Sequence, residues 1–202
     1  MAAAAPAHTP RRLIVGLSGS TGPHYGVRLL EVLREQCPEI ETHLILTQAA
    51  RTTIAYEMSR DPDSVAALAH VVHDERNTGA SIASGTFVTE GMIVAPCSMK
   101  SLSAIANSYT DNLIARAADV CLKERRRLVL VVRETPLHLG HLRLMQDATA
   151  AGAVILPPVP GFYFRPKTID DLIDHIVVKV LDQFGIHLDL IDRWAGLAGL
   201  DT

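Results

Sequence analysis

Several short segments of this chain concentrate side chains that can hold an anion or move a proton. Gly16-Leu17-Ser18-Gly19-Ser20-Thr21-Gly22 follows a short apolar run. Glycine-rich turns of this kind let the backbone approach a ligand closely, and the N–H groups of the next helix start can hold a phosphate. The spacing is G-x-x-G-x-x-G, not the G-x-G-x-x-G of dinucleotide enzymes. The second apolar run ends at Thr47, where those enzymes place an acid for the ribose hydroxyls. The loop therefore suits a mononucleotide such as a flavin better than a nicotinamide dinucleotide; the plain alternative is a tight turn.

Pro96-Cys97-Ser98-Met99-Lys100-Ser101 places hydroxyls, an amine and helix-start amides where a strand meets a helix. That is an anion-binding arrangement, unless it is only an N-cap with a solvated lysine. Cys97 has no obvious histidine partner, so a small buried residue is the favoured reading over a nucleophile. Arg133-Glu134 directly follows five apolar residues, at the rim of a site or as a surface ion pair. His138 and His141 have the i, i+3 spacing that can bind a metal, but no acidic or cysteine partner is close in sequence. Lys123-Glu124-Arg125-Arg126-Arg127 reads as a helix end turning into solvent. The proline-rich segment Pro157–Pro166 carries Phe162, Tyr163 and Phe164, three of the chain's eight Phe and Tyr residues. It is either a lid for an apolar ligand or simply a packed loop.

The elements that must position these groups alternate. Leu13-Ile14-Val15, Leu44-Ile45-Leu46, Met92–Ala95, Leu128–Val132 and Ala153–Leu156 read as buried strands, with Pro96 stopping the third of them. Helices are expected over Val27–Gln36, Ala49–Met58, Leu102–Asn107, Asn112–Glu124, Leu139–Ala151 and Ile169–Phe184. Val72–Thr89 is the least regular stretch. Strands that are apolar throughout and alternate with helices predict a mainly parallel sheet covered on both faces, a three-layer α/β/α fold. In such a sheet ligands sit beyond the carboxyl ends of the strands, which is where the segments above begin.

Composition sets the outer bounds. A chain of 202 residues, 48% hydrophobic and 20% charged, can build one sizeable core, and its mean hydropathy of +0.19 argues against disorder. The net charge of -3 gives no reason to expect a nucleic-acid partner, and no apolar run reaches membrane-spanning length. Cys37, Cys97 and Cys121 make an odd set without C-x-x-C spacing, which favours a reducing compartment. The start, MAAAAPAHTPRR, lacks a secretory signal; its arginines without acids suit a mitochondrial presequence, but the amphipathic helix is missing, so a cytoplasmic setting is expected. Residues 1–11 are read as a flexible tail, 12–185 as a single domain and 186–202 as a segment at a subunit interface.

The segments together resemble the UbiX-type flavin prenyltransferases from about Arg12 to Trp194. The resemblance is carried by G-L-S-G-S-T-G-P-H-Y-G, A-P-C-S-M-K-S-L-S, N-L-I-A-R-A-A-D-V-C-L-K-E-R-R, V-V-R-E-T-P-L-H and P-P-V-P-G-F-Y-F-R-P, in matching order and spacing. It implies a Rossmann-like flavoprotein that assembles as a homododecamer. It also implies transfer of a dimethylallyl group from dimethylallyl phosphate to N5 and then C6 of reduced FMN, without a metal. The product, prenylated FMN, goes to a UbiD-type decarboxylase, in ubiquinone synthesis or aromatic acid metabolism. By resemblance, Gly19, Ser20, Thr21, Thr47, Cys97, Ser98, Met99, Lys100 and Arg133 would bind FMN. Lys123, Glu134 and Tyr163 would line the prenyl-phosphate site, Lys179 would hold the phosphate, and Glu57 would be an acid near the reacting centre. Arg116 would serve a neighbouring subunit's site.

Lysine and arginine around a departing phosphate would stabilise developing charge, and Glu134 would relay a proton. The chain departs from the family pattern at Ser20-Thr21 (commonly Ala-Ser), at Thr47 (commonly Ser), at Pro23-His24, and at Lys179, where an arginine would offer a bidentate fork. None removes a charge the chemistry needs. The rival readings are a phosphopantothenoylcysteine-type decarboxylase, whose P-x-M-N-x-x-M-W loop has no counterpart here, and a non-enzymatic FMN carrier or accessory subunit, which would not need Lys123, Glu134 and Tyr163.

Overall fold

Six strands form one sheet in the order β3-β2-β1-β4-β5-β6, and every neighbouring pair is parallel. The structure is a computed structural model that describes residues 10–196. The expected tail over residues 1–9 and the last six residues of the C-terminal segment lie outside the described residues. In chain order the elements are β1 (Arg11–Leu17), α1 (His24–Gln36), β2 (Ile40–Leu46), α2 (Gln48–Met58), α3 (Pro62–Ala66), β3 (Val71–His73), a 3-10 turn (Ser81–Ala83), β4 (Gly91–Cys97), α4 (Met99–Ala106), α5 (Leu113–Lys123), β5 (Arg127–Val132), α6 (Leu139–Ala151), β6 (Val154–Ile155) and α7 (Ile169–Asp182).

The central strands are apolar on both faces because both faces are covered. Leu13, Val15, Leu44, Ile93 and Val129 pack against one helical layer that includes α1 and α7; Ile14, Ile45, Met92, Val94, Leu128 and Leu130 pack against another that includes α4 and α5. The result is the three-layer, Rossmann-like α/β/α arrangement that the sequence indicates. Side-chain caps fix the helix starts: Thr47 accepts from Ala50 N–H, Ser98 from Ser101 N–H and Asn112 from Ala115 N–H. Gly26 lets α1 lie close to the sheet, since a Cβ there would run into the Ala95 carbonyl and the Leu17 side chain.

Two local expectations are corrected. Pro96 does not stop β4, which continues to Cys97 across a register shift between Val94 and Cys97. Proline lacks a donor, but its carbonyl is in use: Ser18 gives it both its N–H (3.2 Å) and its hydroxyl (2.9 Å). The irregular stretch over Val72–Thr89 also holds structure, the end of β3 and the 3-10 turn. Arg126 ties it down by donating to the Gly85 and Phe87 carbonyls. No helix among the described residues is long and apolar enough to cross a membrane.

Candidate active site

The strand order reverses direction between β1 and β4, and there the turns after the two strands part to opposite sides of the sheet, opening a crevice at their carboxyl ends. Ser18 closes its floor: its hydroxyl accepts the Ser98 N–H at 2.8 Å, while Ser20 donates its hydroxyl to the Arg133 carbonyl at 3.1 Å. Arg133 N–H in turn bonds the Cys97 carbonyl at 3.1 Å. The ends of β1, β4 and β5 are thus laced into one surface. Thr47 joins it from β2 by donating its N–H to the Leu17 carbonyl. Gly19 has the start of α2 against it, with Ala49 in the space a Cβ would need. The Glu57 carboxylate reaches across from α2 and accepts the Gly22 N–H at 2.9 Å.

The structure therefore brings together Gly19, Ser20, Thr21, Thr47, Glu57, Cys97, Ser98, Met99, Lys100, Arg133 and Glu134 around the carboxyl edge. Their exposures differ, and so do their means. Thr21, Lys100 and Glu134 are exposed and Arg133 is half-buried. The Cys97 side chain is wholly buried, and that burial pushes its thiol up to about 12. It packs in the core under α4, so Cys97 has only its backbone to offer a ligand.

A second group lies on α7, the loop before it and the segment after it. The Tyr163 ring meets His175 edge-on at 5.7 Å and Trp194 at 5.9 Å. Phe164 stacks on His175 at 5.2 Å. Lys179 stands one turn beyond His175, whose pKa is held down by burial and then by that ammonium. Tyr25 connects the two groups. It packs beside Ile176 and Val177 of α7 and feels the Arg133 charge, which only partly offsets the rise in its pKa caused by burial.

Two expected residues, Lys123 and Lys179, lie toward the amino edge within this copy: Lys179 is in the last turn of α7, which runs down to where Phe184 meets Gly91 at the start of β4. Lys123 is the last residue of α5, four positions before β5 begins, so it sits at the amino edge of the sheet. There it pairs with Glu124. Convergence of Lys123, Arg133 and Lys179 inside one protomer is excluded by this topology: a helix returning to start the next parallel strand ends at the opposite edge. Arg116, the fourth residue of α5, donates to the Ala83 carbonyl and pairs with Asp119. His138 spends Nδ1 on the Gly140 N–H as the cap of α6, and among the described residues no group of three or more His, Cys, Asp or Glu side chains could hold a metal ion.

The crevice fits a flavin mononucleotide by its donors. Met99 and Lys100 begin α4, so their N–H groups have no intrahelical acceptor and suit an anion. Thr47 accepts with its oxygen and keeps a hydroxyl proton to give. Arg133 and Lys100 add positive charge. The Flavoprotein family is matched over residues 3–180. The flavin prenyltransferase UbiX of Escherichia coli (strain K12) is 60% identical over 188 residues, 92% of this chain and 99% of that protein. The chain belongs to the UbiX flavin prenyltransferase family.

Solved structures agree. A crystal structure of a UbiX (PadA1) in complex with FMN and dimethylallyl pyrophosphate superposes with a TM-score of 0.91 and 49% identity, over 94% of this chain and all of that one. A dodecameric FMN-dependent UbiX-like decarboxylase from Escherichia coli O157:H7 gives 0.89 and 49%, over 92% and 100%. For this UbiX-family chain, the sequence assigns no site role to Ser18, Tyr25, His175 or Trp194. Ser18 carried a signal, a hydroxyl directly after an apolar strand. The aromatic cluster had none, because Tyr163, His175 and Trp194 are distant in sequence.

Proposed function

We propose that this chain is a flavin prenyltransferase that joins the dimethylallyl group of dimethylallyl phosphate to N5 and C6 of reduced FMN, making prenylated FMN for a UbiD-type decarboxylase. The observation that carries the reading is the 60% identity to Escherichia coli UbiX across 92% of the chain. The likeness to a structure holding FMN and dimethylallyl pyrophosphate supports the substrate class.

When bound, reduced FMN supplies the electron-rich ring atoms. The chain's own residues do the rest. Gly19, Ser20, Thr21, Thr47, Ser98, Met99, Lys100 and Arg133 hold and orient the flavin, with Cys97 contributing backbone alone. Tyr163 and Lys179 hold the prenyl phosphate from α7 and the loop before it, where the aromatic faces of Tyr163, Phe164 and Trp194 favour an allylic cation. Glu134 and Glu57 manage protons, and cations rather than a metal meet the charge that develops on the leaving phosphate. Lys123, at the amino edge, serves a site through a neighbouring copy, and the resemblance assigns Arg116 to a neighbouring copy's site as well. A homododecamer, as in the Escherichia coli O157:H7 structure, supplies such copies.

Residues 12–185 form the single flavin-binding domain in this reading. The segment from residue 186 sits at a subunit border, though Ile186 packs in this chain's own core and Arg193 pairs with Asp182. A cytoplasmic setting goes with the three free, buried thiols. The reading is tested by anaerobic incubation with reduced FMN and either dimethylallyl phosphate or the diphosphate, then addition to an apo UbiD-type decarboxylase. Restored decarboxylation with one donor is expected. No restoration with either sinks the enzyme and moves the FMN carrier into its place.

A further inference from the structure

The amino edge of the sheet, away from the crevice, bears a recess of about 670 Å³, within the range of small-ligand sites. Arg11 and Arg12 line it from β1, Arg125, Arg126 and Arg127 from the α5–β5 turn, and Glu90 is the only acid among its lining residues. Such a concentration of cations stands out in a chain whose net charge is -3.

The charges are unevenly spent. Arg11 pairs with Glu90 at 3.2 Å, and Arg12 pairs with Glu41 at 3.0 Å while lying over the Phe87 ring. Arg126 bonds two neutral carbonyls, which satisfy its N–H groups and leave its charge uncancelled. Arg125 and Arg127 are exposed and, among the described residues, enter no ion pair. The carbonyl end of α5 offers about half an elementary charge, too little to balance three guanidinium groups.

Thr89 adds an independent observation. It lines the same recess, is 6% exposed, and its buried Oγ1 has no hydrogen-bond partner among the described residues. An unsatisfied buried hydroxyl costs about 1–3 kcal/mol, which a polar ligand atom reaching Thr89 through the recess would relieve. Guanidinium forks match phosphate oxygens two at a time, which selects phosphoanions over simple halides.

The geometry points to a second anion site, in which this recess binds a small phosphorylated ligand through Arg125, Arg127 and Arg11, with Thr89 as a neutral donor. It is separate from this copy's own crevice, since the two lie at opposite edges of the sheet. Its ligand is a diphosphate or a compound with two nearby phosphates, because the cations are spread along the rim rather than gathered at one point.

The test is calorimetric titration of inorganic pyrophosphate into FMN-loaded protein at constant ionic strength. Wild type, the Arg125→Ala/Arg127→Ala double variant, Thr89→Val and Lys179→Ala are compared, with circular dichroism to confirm folding. Expected are saturable binding in wild type, at least a tenfold loss in the double variant, a severalfold loss in Thr89→Val, and retention of that binding event in Lys179→Ala. Loss in Lys179→Ala with no change in the double variant would place the anion in the crevice and overturn the proposal. Absence of saturable binding in wild type would overturn it as well.

Discussion

Glu57 holds the Gly22 N–H at 2.9 Å, so one of its oxygens fixes the turn that begins the flavin crevice. A hydrogen bond to an ionised group contributes about 1.5–3 kcal/mol, or roughly tenfold or more in affinity. Glutamine can still accept that N–H, whereas alanine cannot. Glu57→Gln is therefore expected to bind FMN within about twofold of wild type, and Glu57→Ala to bind about tenfold more weakly, measured by flavin fluorescence titration. If Glu57 also handles a proton, Glu57→Gln will lose about 10²-fold in prenyl-transfer rate despite normal binding. Equal loss of binding in both variants would contradict the positioning role. Ser18 illustrates the same division from the other side. Its hydroxyl is committed twice, to Pro96 and Ser98, so it shapes the crevice without a lone donor for a ligand.

At the scale of elements, Gly26 decides how closely α1 approaches β1 and β4. Alanine would gain about 1 kcal/mol in helix propensity but overpack the Ala95 carbonyl and Leu17, at a cost of about 1–3 kcal/mol. Backbone oxygen cannot yield as a side chain can, so the cost wins. Gly26→Ala is expected to lower the thermal midpoint by several degrees, and an unchanged midpoint would show that α1 can shift.

The β2–β3 border predicts the pH response. His43 is buried and its pKa lies below 6.5, with burial outweighing its bond to Glu41; His73 is lowered for the same reason and by the neighbouring His43. A histidine with a depressed folded pKa binds fewer protons folded than unfolded, so its contribution is complete above about pH 6.5 and is lost as pH falls through the folded value. Glu41, held below its usual range first by His43, acts in the same direction at lower pH. The urea midpoint should therefore drop between pH 7.5 and 5.5. His43→Gln should start lower and fall less; a midpoint as steep as wild type would contradict this assignment.

These elements were unequally legible in the sequence. The central strands and long helices announce themselves because two-sided burial demands uninterrupted apolar runs and one-sided burial demands periodic ones. β3 has three residues, one of them His73, and α3 has five, too few for either pattern. β4 passes Pro96 because only a donor is lost there, and the carbonyl partner Ser18 is 78 residues away. The crevice loops were readable because each follows a strand directly. What was not readable was the edge on which a side chain ends up: Lys123 sits in a motif with site chemistry, yet the length of α5 carries it to the far edge.

The whole molecule presents apolar side chains that a lone copy leaves in water: Leu139 is 62% exposed, Phe162 70% and Tyr56 87%. Assembly is the economical explanation. Leu139→Asp should yield a folded, smaller species by sedimentation that has lost prenyl transfer. Retention of both size and activity would remove α6 from the interface. The central claim, that this fold prenylates its flavin, is tested most directly by mass spectrometry of flavin extracted after anaerobic incubation with reduced FMN and dimethylallyl phosphate or diphosphate. A flavin heavier by one five-carbon prenyl unit is the predicted result; unmodified FMN recovered from well-folded, flavin-loaded protein with both donors would contradict it.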